Sequence, residues 1–66
     1  MAVLKVIELL SESSESWEDA TKVGIKKASK SVKNIRSAFV QSHSVTVKNG
    51  EVDKFRVNLK ISFEVE

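Results

Sequence analysis

From Phe55 onward the large apolar residues fall on every odd position and polar or charged residues on every even one. A strand repeats every two residues, so this spacing predicts a strand over 55–66 with one apolar and one wet face. The segment holds neither Gly nor Pro, and its Val, Ile and Phe are good strand formers. Residues 3–10 also read as a strand, but an apolar one on both sides: Val3, Ile7 and Leu9 on one, Leu4, Val6 and Leu10 on the other. Such a strand has to be covered on both faces. One helix covers only one, which assigns the second to another subunit.

Between these strands the period changes. Residues 11–15 form a polar loop, and Ser16 fits a helix N-cap with Asp19 three residues on. Thr21, Ile25, Ala28, Val32 and Ile35 recur at spacings of four and three, predicting a helix from about 17 to about 33 or 34. Ala20, Gly24 and Ala28 add a stripe of small residues that lets the helix approach a sheet closely. Residues 37–47 read as a second strand, turned back by Asn49-Gly50, the pair that best tolerates a type I′ turn. A two-residue turn there sets Ser44 opposite Phe55, Ser42 opposite Val57, Val40 opposite Leu59 and Ala38 opposite Ile61. The other face then carries Ser37, Phe39, Gln41 and His43 against Ser62, Lys60, Asn58 and Arg56. The expected fold class is α+β, in the order β-α-β-β. A right-handed crossover with the last strand inserted gives a three-stranded antiparallel sheet packed on one helix.

Length sharpens the expectation of assembly. A chain of 66 residues is a single domain over 1–66, close to the lower limit for an independent core. Small domains of this kind rely on disulfides, metals or partner subunits, and the absence of Cys removes disulfides and thiolate metal sites. The N-terminus does not read as a signal peptide, and no apolar run is long enough to cross a bilayer. A soluble cytoplasmic protein with no membrane partner is expected. The net charge of +2 does not by itself demand an anionic partner.

With these elements in place the chain resembles the dodecins, small β-α-β-β proteins that assemble as hollow homododecamers. The resemblance is carried by Lys5-Val6-Ile7-Glu8-Leu9, Ser16-Trp17-Glu18-Asp19-Ala20, Lys33-Asn34-Ile35-Arg36 and Ile61-Ser62-Phe63-Glu64-Val65, together with the Asn49-Gly50 hairpin. It implies small-ligand binding, with storage or sequestration as the role and flavin (FMN or riboflavin) as the cofactor of many members. In those members a Trp opening the second strand stacks on the isoalloxazine, and a Gln on the last strand binds the polar edge of the ring. Matched residue by residue, that Trp falls on Ser37 and that Gln on Arg56, so both chief flavin contacts are absent. Phe39, on the same face as Ser37, is the aromatic that remains. The chain resembles the flavin-poor members, one kind of which binds calcium. Ser37, Phe39 and Arg56 are therefore the candidate ligand-site residues, with calcium, another ion or a ligand-free structural shell as the alternatives to flavin.

Other chemistry-bearing residues have plainer readings. Trp17, the sole tryptophan, sits at the first helical position, where packing is its expected role. His43 has no second ligand at metal spacing and no nucleophile partner, so no catalytic constellation supports an enzyme. Lys22, Lys26, Lys27, Lys30 and Lys33 read as a solvated helix flank; without a Gly-rich cradle or interleaved aromatics nucleic acid is not the expected partner, and a ligand-free shell that meets an acidic partner through this flank is the alternative. Glu12, Glu15, Glu18 and Asp19, or Glu51 with Asp53, are oxygen donors for a hard cation, although calcium takes about six to eight oxygens and no EF-hand spacing is present. Arg56 has two readings: a guanidinium lining a ligand pocket, or a cross-strand contact with Ser37 or an ion pair with Glu64 or Glu66 of a neighbour.

Overall fold

A computed structural model describes residues 2–65 and has the order β1 (Val3–Ser13), α1 (Trp17–Ala28), β2 (Ile35–Lys48), β3 (Glu51–Val65). The sheet runs β1-β3-β2 with both pairings antiparallel, so the return strand of the hairpin is central, as expected. Glu66, expected to end that strand and to offer a partner to Arg56, lies outside the described residues.

The central strand sets the size of the molecule. Fifteen residues at about 3.4 Å each span roughly 50 Å, and the molecule measures 50 × 19 × 14 Å. The twelve residues of α1 reach only about 18 Å. The helix therefore covers about a third of one sheet face, over Val57, Leu59 and Ile61, which with Ala20 are the fully buried apolar residues. The chain exposes 4964 Å², against about 4,200 Å² for a compact monomer of 7.4 kDa. No described helix is long and apolar enough to cross a membrane.

The helix begins where the sequence places it. Ser16 has extended backbone (φ −169°) and its Oγ accepts from the Asp19 backbone N–H at 2.9 Å. The reciprocal half of the box is not made, because the Asp19 carboxylate instead accepts from Ser13 Oγ at 2.6 Å. The helix ends earlier than the expected 33 or 34, at Ala28. Ser29 Oγ donates to the Lys26 carbonyl at 2.7 Å, and Lys30 and Ser31 donate backbone N–H groups three residues back, to Lys27 and Ala28. Serines that bond nearby carbonyls compete with helical pairing, and Asn34 at φ 63° then turns the chain into β2. Val32 and Ile35 consequently leave the helical stripe, and Ile35 packs on the core from β2. The small-residue stripe is the one pressed to the sheet: Ala20 and Gly24 are buried.

Two further boundaries differ from expectation. Residues 11–13 are strand, because the long β3 offers Val57, Arg56 and Phe55 as partners. Ser11 is buried there and donates to the Ala20 carbonyl at 2.7 Å, fastening strand to helix. β2 extends to Ile35–Lys48 and carries irregularities that the two-residue turn did not foretell. The turn is as expected, with Asn49 at φ 53° and Gly50 at φ 77°. Asp53 is then skipped in the ladder and Gln41 is skipped on the opposite strand. Between these two bulges the register moves by one and then returns. Val40–Leu59 and Ala38–Ile61 pair as expected, but Val57 meets His43 rather than Ser42, and Phe55 meets Val45 rather than Ser44.

Candidate functional site

A slip of one residue exchanges the two faces of a strand. Ser42 and Ser44 accordingly lie opposite Asn58 and Arg56 on the sheet face away from the helix, and His43 lies on the helix face. The outer face carries Leu4, Val6, Glu8, Leu10 and Glu12 from β1, Arg56 to Glu64 at even positions from β3, and Ser37 and Phe39 from β2. Leu4 (53%), Val6 (58%), Leu10 (56%) and Phe39 (65%) are all more than half exposed on it. The second apolar side of β1 is thus left open within the single chain.

The three sequence-nominated residues share this face but do not converge. Ser37 opposes Ser62, and their hydroxyls are hydrogen-bonded. Phe39 opposes Lys60. Arg56 is six residues along β3 from Ser62, about 20 Å at 3.3 Å per residue. Its partner is Glu12, directly across the β1 pairing: Nε donates to Glu12 Oε2 at 2.9 Å, and Nη2 donates to the same oxygen. The cross-strand contact expected between Arg56 and Ser37 is not made, and Arg56 is paired across the sheet with Glu12. Glu64, named as another partner, is paired with Arg36 at 3.1 Å in the same chain. Glu12 and Arg56 are 44 residues apart, and only the β1–β3 register brings them together. Between Arg56 and Lys60 lies Asn58, whose buried Oδ1 accepts no hydrogen bond from the described residues.

The hydrogen bond from Arg56 holds the Glu12 carboxyl below its ordinary value of 4.5, with the nearby Arg56 and Lys54 charges acting in the same direction. A carboxyl lowered in the folded state adds stability above its unfolded pKa, and that stability is lost as pH falls through the folded value. Thermal melting of Glu12→Gln should therefore depend less on pH than wild type between about pH 3 and about pH 5. Identical slopes for the two proteins would show that the pair carries no linkage.

The remaining candidates are held by the fold. Trp17 meets Phe55 edge to face at 5.1 Å and the His43 ring at 5.4 Å, and its Nε1 donates to the Ser44 carbonyl at 2.9 Å. It packs within its own chain, and the bulge at Gln41 is what delivers His43 to it. Glu18 is paired with Lys22 at 3.3 Å. No three His, Asp or Glu side chains gather for a metal ion among the described residues, and one chain forms no enclosed pocket there.

Comparison with known proteins agrees with this architecture. The family model described as Dodecin matches residues 3–66. The chain is similar to the calcium dodecin of Mycobacterium tuberculosis (strain ATCC 25618 / H37Rv), 34% identical over 65 residues and spanning 98% of this chain and 92% of that protein. It is also similar to the crystal structure of a calcium dodecin from Mycobacterium tuberculosis, described as having a novel calcium-binding site. There the TM-score is 0.85 at 34% identity, over 97% of this chain and 91% of that one. The dodecin from Streptomyces davaonensis superposes with a TM-score of 0.94 at 22% identity, over 98% of this chain and 96% of that one, a likeness of fold.

Proposed function

The chain belongs to the dodecin family, and from that premise we propose that it is a cytoplasmic homododecameric shell that binds and stores a small ligand at its subunit junctions. The observation that carries this reading is the open outer face, where Leu4, Val6, Leu10 and Phe39 are all more than half exposed. Removing that apolar area from water favours association, and a second copy supplies the cover. Ser37 and Arg56, about 20 Å apart in one chain, contribute to one site only if different copies provide them.

For the ligand we propose calcium ahead of flavin. Ser37 offers no ring for stacking, and an isoalloxazine loses with it about 1 kcal/mol beyond area burial. The carboxylates and hydroxyls on the β1 and β3 faces are hard oxygen donors, and copies meeting at a symmetry axis multiply them toward the six to eight that calcium takes. The relative named calcium dodecin supports the same choice. The role is binding, with no catalytic constellation among the residues described above.

Light scattering on the purified protein should give the mass of about twelve copies of the 7.4 kDa chain; a monomer at micromolar concentration would remove the reading. Calcium should raise the melting temperature and a chelator should reverse the rise, whereas riboflavin fluorescence should be left unquenched. The Ser37→Trp/Arg56→Gln double variant should gain riboflavin quenching, with affinity improved about tenfold, or roughly 1.4 kcal/mol. Strong quenching by the unaltered chain would reverse the order of the two ligands.

A further inference from the structure

A second surface carries positive charge that the fold leaves largely unpaired. Residues 20–50 carry seven Lys and Arg and not one Asp or Glu. Five of these cations, from Lys22 to Lys33, lie on α1 and the turn that follows it. Lys22 and Lys26 are four residues apart, on the side of the helix away from the buried Ala20 and Gly24. Lys22 is paired with Glu18, whereas Lys26, Lys27, Lys30 and Lys33 are exposed and in no ion pair among the described residues. Lys26 and Lys27 offset the negative end of the helix dipole. Lys30 and Lys33 lie beyond the last helical turn, where that effect has faded.

In place of the solvated flank expected from the sequence, we propose that this lysine surface docks the phosphodiester backbone of nucleic acid without sequence preference, a contact that needs neither a Gly-rich cradle nor interleaved aromatics. The match is one of charge: a duplex presents a phosphate about every 1.7 Å of axis, and each lysine that meets one releases a bound counterion. No aromatic or Asn and Gln set lies among these lysines to read bases, so the contact is with the backbone alone. A bilayer fits less well. Ala20, Ile25 and Ala28 of α1 pack on the core, so the helix presents no broad apolar face among the lysines to enter the acyl boundary. The inference does not require the proposed shell, although an assembly would present many copies of the surface to one polymer and strengthen binding by avidity.

The test is fluorescence anisotropy of a labelled duplex of arbitrary sequence with the full chain, at salt from about 50 to about 200 mM. Four phosphate contacts per patch correspond to a loss of roughly a hundredfold across that range. Lys30→Glu/Lys33→Glu should bind at least about tenfold more weakly and lower the salt slope by about 1.8. Lys30→Gln/Lys33→Gln should fall between it and wild type. The charge-matched Lys48→Glu/Lys54→Glu, at the hairpin end of the molecule, should keep the wild-type slope. No binding at about 50 mM salt, equal losses in patch and hairpin variants, or binding to phosphatidylserine vesicles but not to the duplex would each overturn the proposal. Light scattering on the same samples reports assembly separately, so failure of the shell and failure of this surface are distinguishable.

Discussion

Leu59→Ala should cost about 2–5 kcal/mol and leave little folded chain. Leu59 is fully buried at the centre of the central strand, between Val57 and Ile61 and against the helix. Truncation removes buried methyl groups and leaves a cavity whose walls are two paired strands and a helix already in close contact. A domain of this size has only a few kcal/mol of stability to lose. Urea denaturation followed by circular dichroism should show a midpoint shifted strongly down or a transition already complete in buffer. A midpoint within experimental error of wild type would mean that the four-residue core is not what holds the fold.

Gly24→Val should destabilise by about 1–3 kcal/mol through overpacking, the opposite fault at the same contact. A Cβ at Gly24 would stand 3.0 Å from Leu59 Cδ1, 3.0 Å from Ser11 Cβ and 3.1 Å from Ser11 Oγ. Neither neighbour is free to give way: Leu59 is enclosed on all sides, and Ser11 is held by its hydrogen bond to Ala20. Helix propensity favours Ala over Gly by about 1 kcal/mol, so Gly24→Ala should be the milder variant. The two sites are also coupled. A methyl at Gly24 points into the space that Leu59→Ala vacates, so Gly24→Ala/Leu59→Ala should lose less than the sum of the single changes. Strict additivity in the double-mutant cycle, or a Gly24→Val protein as stable as wild type, would contradict the contact.

The sheet was legible because its signals are local. Alternation along β3, the Asn49-Gly50 turn and the Ser16 cap each act through neighbours in the chain, and all three appear where expected. The helix end was less legible, because the apolar spacing of Val32 and Ile35 carries the stripe on past Ala28, where the helix stops. The bulges at Gln41 and Asp53 have no comparable signature. Each inserts one unpaired residue that bends the strand and increases its local twist, and neither Gly nor Pro marks the place.

The candidate site divides in the same way. The outer-face placement of Ser37, Phe39 and Arg56 follows from strand parity. Their separation along the sheet, and the capture of Arg56 by Glu12, follow from a register between segments more than forty residues apart. The chain by itself determined the order β-α-β-β, the central position of the last strand and the need to cover a first strand that is apolar on both sides, because these depend on periodicity and on area. Only the tertiary structure decided where the helix stops, which face His43 joins and which carboxylate meets Arg56. Those outcomes depend on pairing energies between distant segments, which no stretch of sequence carries alone.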